Sequence, residues 1–150
     1  MPKNQKPMVG VGVMLLKGNK VLLGRRHEDP KMAKSELHGE GTWTMPGGKV
    51  EFGEKLRAAA VREVFEETGI LLEKADLEII SVADDIGYGA HFVTIGFLCR
   101  DFEGEAKVME PDEITKWGWF SLNKIPERIF GPSQEILEAF MKKRDKTELV

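Results

Sequence analysis

Gly48-Lys49-Val50-Glu51-Phe52-Gly53-Glu54, seven further residues, then Arg62-Glu63-Val64-Phe65-Glu66-Glu67-Thr68-Gly69-Ile70 decide how this chain is read. The glycine-rich segment Met45-Pro46-Gly47-Gly48 leads into them. Glycines at 47 and 48 predict a tight turn that brings backbone close to a ligand and offers it a carbonyl. A helix follows, expected over about Glu54 to Thr68, with Ala58-Ala59-Ala60 as good helix formers and Gly69 as the C-terminal cap.

Helical geometry turns this stretch into chemistry. At about 100° per residue, Glu63 and Glu67 lie one turn and about 40° apart, and Glu66 lies about 60° from Glu63. Three carboxylates crowd one flank, while Val61, Val64 and Phe65 are expected on the opposite flank, against a sheet. Like charges so spaced destabilise an isolated helix. Divalent cations between them remove that cost, and magnesium prefers such hard oxygen ligands while keeping waters and phosphates in its shell. Arg62, about 40° from Glu66, either braces the glutamates through its fork or reaches a phosphate. A glutamate-rich surface helix is common, so Glu66-Glu67 alone would carry little. Nine specified positions within 23 residues carry far more.

Outward from this centre the chain is rich in strands. Val9 to Leu16 reads as a strand, with Val9, Val11, Val13 and Leu15 on one side and Gly10 and Gly12 opposite. Lys17 to Lys20 is a hairpin turn, and Val21 to Arg26 the return strand. His27 to Gly41 is a long polar loop, expected to hold one helical turn at Met32 to Leu37; a loop of this length is often functional. Leu77 to Ala83, His91 to Cys99 and Ile114 to Leu122 are further strands. A final helix is expected over Ser133 to Lys143, with Ile136, Leu137, Phe140 and Met141 inward. Helices and strands do not alternate, which argues against a doubly wound sheet. The reading is one domain spanning residues 1 to 150, with its core at about 9 to 143 and fraying ends.

Bulk composition excludes several classes. A formal net charge of −3 speaks against binding long nucleic acid. The apolar runs are too short to cross a bilayer, and Gly10, Gly12 and Lys17 interrupt any signal-peptide core, so no membrane association is expected. Cys99 is the only cysteine, so no internal disulfide forms and a reducing cytoplasm is the expected setting.

The Gly48 to Ile70 segment resembles the signature box of Nudix hydrolases at every specified position. The likeness extends to the opening strand, Leu22 to Arg26, Gly41-Thr42-Trp43 and Trp117-Gly118-Trp119-Phe120. It implies an α/β/α sandwich around a mixed sheet, with the box as a loop-helix-loop. It implies that Glu63, Glu66 and Glu67, helped by the Gly47 carbonyl, bind Mg²⁺ or Mn²⁺, with Glu63 in some members the general base. Arg62 would orient the glutamates, and Glu54 would support helix and loop. Water would attack a phosphorus of a nucleoside diphosphate derivative. Phe52-Gly53-Glu54, Trp43, Glu110-Pro111 and Trp117 to Trp119 most resemble the MutT-like branch, whose members hydrolyse nucleoside triphosphates, some oxidised or modified, to monophosphate and pyrophosphate, and often form homodimers. Hydrolysis of ADP-ribose, a nucleotide sugar, NADH or a dinucleotide is the alternative; a non-catalytic nucleotide-binding module would not need every carboxylate.

Outside the box, Arg25 and Arg26 end a strand and are candidates to clamp a phosphate. Trp43 either walls a base pocket or covers the core. Phe52, and Phe92 with Thr94 on one strand face, are candidates to line the pocket, with Phe130 a weaker one. Trp117 and Trp119 could stack on a base, although at least one is expected in the core. Among Glu110, Asp112 and Glu113, Glu110 is the candidate for a further metal ligand. The histidines lack zinc spacing.

Overall fold

Met8–Lys17 forms β1, and it is buried on both faces rather than one. Val11, Val13 and Leu15 enter one apolar core, and Met14 and Leu16 enter a second on the other side. A strand with both faces covered must be central, and β1 is. The structure, a computed structural model, describes residues 5–33 and 35–148, with side chains as far as 146. Of the ends expected to fray, residues 1–4 and 149–150 lie outside the described residues, whereas 144–148 continue the final helix.

The strands that follow are β2 (Lys20–Arg26), β3 (Trp43–Thr44), β4 (Gly47–Lys49), β5 (Leu71–Leu72), β6 (Glu78–Gly87), β7 (Ala90–Cys99), β8 (Phe102–Glu103) and β9 (Ile114–Ser121). The helices are α1 (Leu56–Thr68) and α2 (Gly131–Glu148). The main sheet has the order β3-β2-β1-β7-β6, with β4 paired to β1 and β9 to β2. It is mixed, because β1 runs parallel to β7 while its other pairings are antiparallel. β5 and β8 form a small separate sheet. Helix α1 covers one face through Ala59, Ala60 and Val64, and α2 covers the other through Ile136, Leu137 and Phe140. The result is the expected α/β/α sandwich.

One edge of β1 is shared by two partners. Leu16 and Lys17 pair with β2, while Gly10 to Gly12 pair with β4. The sheet therefore splits at that edge, and the split opens the space in which the acidic side chains of α1 meet the loops.

Several local expectations change. Helix α1 starts at Leu56, not Glu54, because the Glu54 carboxylate accepts hydrogen bonds from the Glu51 N–H and from Arg62. Gly69 caps the helix with φ 80° and donates its N–H to the Phe65 carbonyl. Val64 is buried, but Phe65 is 47% exposed and Val61 only half-buried. The buried stripe runs instead through Ala59, Ala60, Val64 and Glu67, since alanines let the helix sit close to the sheet. Strand β6 continues four residues beyond Ala83, through Asp84 and Asp85, and turns at Tyr88-Gly89, both with positive φ. The consecutive acids Asp84 and Asp85 disguised its length. Helix α2 begins two residues before Ser133 and runs five beyond Lys143. No helix forms among the described residues of the 27–42 loop. One turn closes earlier than expected, where the Ala33 N–H reaches the Asp29 carbonyl and Asp29 Oδ1 caps the N–H of Lys31.

Candidate active site

Gly47 and Gly48 are extended strand residues, not a turn. They pair with Gly12 and Val11, and neither has positive φ. Their glycine identity comes from crowding. A Cβ on Gly47 would lie 2.1 Å from the Val11 carbonyl oxygen, and one on Gly48 would lie 2.6 Å from the Glu63 carboxylate. The bare backbone of β4 thus lets helix α1 lie against it. Gly47 N–H points away from β1 and donates to Glu67 Oε2 at 3.2 Å. In extended backbone the N–H and C=O of one residue face the same side. The Gly47 carbonyl therefore also faces the acids, as a metal-ligand role requires.

Arg62 organises the flank of α1. Its guanidinium donates to Glu54 (2.7 and 2.9 Å), to Glu63 (2.8 Å), to Glu66 (3.2 Å) and to the Lys49 carbonyl (3.1 Å). All five contacts suit a planar fork and not an ammonium. Arg62 braces the carboxylates, which resolves the choice the spacing left open. The Glu54 carboxyl is held down at about 2, chiefly by this bond.

The other acids around the site behave oppositely. Burial pushes the Glu63 carboxyl up to about 7 despite Arg62, with the charges of Glu66 and Glu110 adding to the rise. Glu67 is buried, and desolvation followed by the nearby Glu63 raises it well above the carboxylate range; the Gly47 N–H opposes only in part. Glu110 is raised by burial, then by Glu113 and Glu66. Glu110 and Glu113 belong to one turn, in which Glu113 and Ile114 donate their N–H groups to the Glu110 carbonyl. The His27 N–H bonds the Glu113 carbonyl and fixes that turn against the end of β2. Carboxylate oxygens of Glu67, Glu110 and Glu113 lie within 4.8 Å of one another. Three hard oxygen donors converging in this way fit Mg²⁺ or Mn²⁺. Glu63 and Glu66 line the same cavity.

That cavity, of about 820 Å³, runs from the acids between β1, β7, the 27–41 loop and the start of α2. Arg26, Phe92 and Thr94 line it, as does Phe130. Arg26 is committed to the loop, donating to the carbonyls of Gly39 (2.8 Å) and Ala33 (3.2 Å) and covering the Phe130 ring at 4.6 Å. The other proposed substrate contacts lie elsewhere. Arg25 pairs with Glu28 at 2.8 Å. Trp43 meets Phe120 edge-on at 4.9 Å beside the second core. Phe52 projects wholly into solvent. Trp117 packs on the first core, and Trp119 stacks on Phe102 at 5.8 Å. The shared strand face of Trp117 and Trp119 is real, but it is the α1 face and not the cavity.

Other lining residues had no strong signal in the sequence. Glu113 stood out only as one acid of a cluster, and its spacing of three from Glu110 was the available clue. Lys49, Ser133, Ile136 and the loop residues Pro30, Ala33, Glu36 and Leu37 join the lining only through tertiary folding.

The sheet, the glycine strand and the braced acids together define a hydrolase of phosphoanhydrides. The NUDIX domain model matches residues 6–140, and the chain belongs to the Nudix family, in its MutT-like group. It is 31% identical over 136 residues to an ADP-ribose pyrophosphatase of Methanocaldococcus jannaschii, covering 91% of this chain and 74% of that protein. It is 42% identical to an RNA pyrophosphohydrolase of Roseobacter denitrificans, with 87% of each chain covered. The solved MutT Nudix hydrolase of Burkholderia pseudomallei superposes with a TM-score of 0.79 at 34% identity, covering 90% of this chain and 98% of that one. No helix among the described residues is long and apolar enough to cross a membrane.

Proposed function

We propose that the enzyme hydrolyses the diphosphate link of a nucleoside diphosphate bearing a second organic group, of the ADP-ribose type. The observation that carries this reading is the charge of the cavity. Among its described lining residues stand six carboxylates, Glu36, Glu63, Glu66, Glu67, Glu110 and Glu113, against two cations, Arg26 and Lys49. Both cations already have partners. A diphosphate diester carries about two negative charges and a free triphosphate about four, so the diester fits this field better. The similarity to an ADP-ribose pyrophosphatase supports the same choice.

Glu67, Glu110 and Glu113, with Glu63, Glu66 and the Gly47 carbonyl on the same wall, would hold Mg²⁺ or Mn²⁺. Bound there, the cation supplies charge neutralisation for the diphosphate. The chain's own contributions are distinct. Glu63, with its carboxyl near 7, takes the proton of the attacking water at a carboxylate oxygen. Water oxygen bonds to phosphorus, and the bridging P–O bond breaks, leaving its electron pair on the departing phosphate. Arg62 keeps Glu63 and Glu66 in register throughout. Phe92 offers an aromatic face to the base or sugar.

Triphosphate pyrophosphohydrolysis is the second reading, favoured by the likeness to MutT and to RNA pyrophosphohydrolase. Product analysis separates the two. With Mg²⁺, ADP-ribose yields AMP and ribose 5-phosphate without pyrophosphate, whereas a triphosphate yields a monophosphate and pyrophosphate. A kcat/KM for ADP-ribose well below that for every triphosphate would refute the first reading. Glu67→Gln is expected to lower kcat by at least 100-fold on either substrate with the fold intact.

A further inference from the structure

Lys49 ends β4 and lines the cavity that holds the acids, where Arg26 is the other cation among the described lining residues. Lys49 is not free. Its Nζ lies 2.6 Å from Glu36 Oε1 on the long loop, and 5.9 Å from the Phe92 ring. Lys49 in turn holds the Glu36 carboxyl below its ordinary value. Each side chain is about half exposed, and such a pair adds little to stability. Its consequence is electrostatic. The other cation of the lining, Arg26, faces Glu113, Glu67 and Glu40 and spends two donors on loop carbonyls. Glu36 thus neutralises the remaining positive charge at the cavity mouth.

We infer that Glu36 is a specificity-determining residue, which masks Lys49 so that the cavity disfavours a free triphosphate relative to a diphosphate diester. This rests on the proposed function and deepens it. The long loop then has a physical role: it carries a carboxylate across the cavity to the strand that bears the metal-site glycines. Removing the carboxylate's charge leaves Lys49 unmasked. A substrate with two more negative charges gains more from the exposed ammonium than a diester does. At a separation of about 8 Å and an effective dielectric between those of surface and bulk water, the difference corresponds to roughly fivefold or more in relative kcat/KM.

The test compares ADP-ribose and ATP, both with Mg²⁺, on the wild type, Glu36→Gln, Glu36→Asp and Glu36→Gln/Lys49→Gln. Glu36→Gln is expected to raise the ATP to ADP-ribose ratio of kcat/KM at least fivefold. The change should lie in the KM for ATP and shrink toward unity at high salt. Glu36→Asp should restore most of the wild-type ratio, and the double variant should lose the gain. An unchanged ratio in Glu36→Gln, or a gain that survives in the double variant or in high salt, overturns the inference. If the wild type cleaves ATP and not ADP-ribose, the diester reading fails by itself. The KM for ATP in Glu36→Gln still decides whether Glu36 masks Lys49. Equal melting temperatures across the set exclude a folding cause.

Discussion

Gly47→Ala and Gly48→Ala add the same methyl group to adjacent strand residues, yet they should fail in different ways. On Gly47 the methyl meets backbone: the Val11 carbonyl oxygen at 2.1 Å and the Gly12 Cα at 2.9 Å. Both belong to the central strand, which is held by ladders on both edges and cannot withdraw. Overpacking of this kind costs about 3 kcal/mol or more, which at this chain length lowers the melting temperature by roughly 6 to 12 °C. On Gly48 the methyl meets only the carboxylate end of Glu63, at 2.6 Å. Ordinary contact needs about 3.4 Å, so the carboxylate must swing by about 1 Å and strain its 2.8 Å bond to Arg62. Losing one charge-assisted bond costs about 1.5 to 3 kcal/mol, offset by about 0.4 to 1 kcal/mol from the reduced freedom of the unfolded chain. Gly48→Ala should therefore be destabilised by only about 1 to 2 kcal/mol. Its kcat should fall about 100-fold, because a displacement of that size at a reacting group costs that much. Calorimetry and steady-state assays with Mg²⁺ measure both quantities. If Gly48→Ala keeps kcat within threefold of the wild type, or Gly47→Ala melts with it, crowding is not why these positions are glycine.

Arg62→Lys keeps the charge but cannot span Glu54, Glu63, Glu66 and the Lys49 carbonyl together. Its kcat should drop 10- to 100-fold with KM changed less than threefold, as read by initial rates. Phe92→Ala, in the cavity wall, should raise the substrate KM about tenfold, whereas Trp119→Phe, stacked on Phe102 outside it, should leave KM unaltered. Glu135 on α2 lies against Asp85 on β6; burial, followed by Asp85 and then by Glu138 and Asp84, lifts its carboxyl from 4.5 to about 7. Between those values the native state retains a proton that the unfolded chain has released. Its contribution therefore falls as pH rises through that window and levels off above about 7. Solvent screening limits the change to about 1 kcal/mol. Melting curves of Glu135→Gln against wild type, from pH 4.5 to 8, should show a flatter dependence for the variant; parallel curves would contradict this.

The box was legible because its physics is local. Gly69 as a cap, and Glu63, Glu66 and Arg62 on one flank, follow from helical spacing and need no partner strand. The extra four residues of β6 were not legible, since Asp84 and Asp85 look like loop residues until β7 pairs with them. Phe65 was misplaced inward for a related reason: spacing gives the angles between side chains but not the rotation of the helix on its sheet. That rotation was chosen by Ala59 and Ala60, and by a glycine strand able to accept Glu67.

The acid-bearing helix follows from residue order, because it depends on neighbours within a few turns of chain, and the fold class came with the family that its spacing resembles. The company that Glu67 keeps does not follow in this way. Glu110 and Glu113 lie more than forty residues beyond it, and Lys49 meets Glu36 only because a long loop returns across the cavity. Charges act through space and not along the chain. Which carboxylates share a cation, and which lysine is masked, were therefore decided by packing.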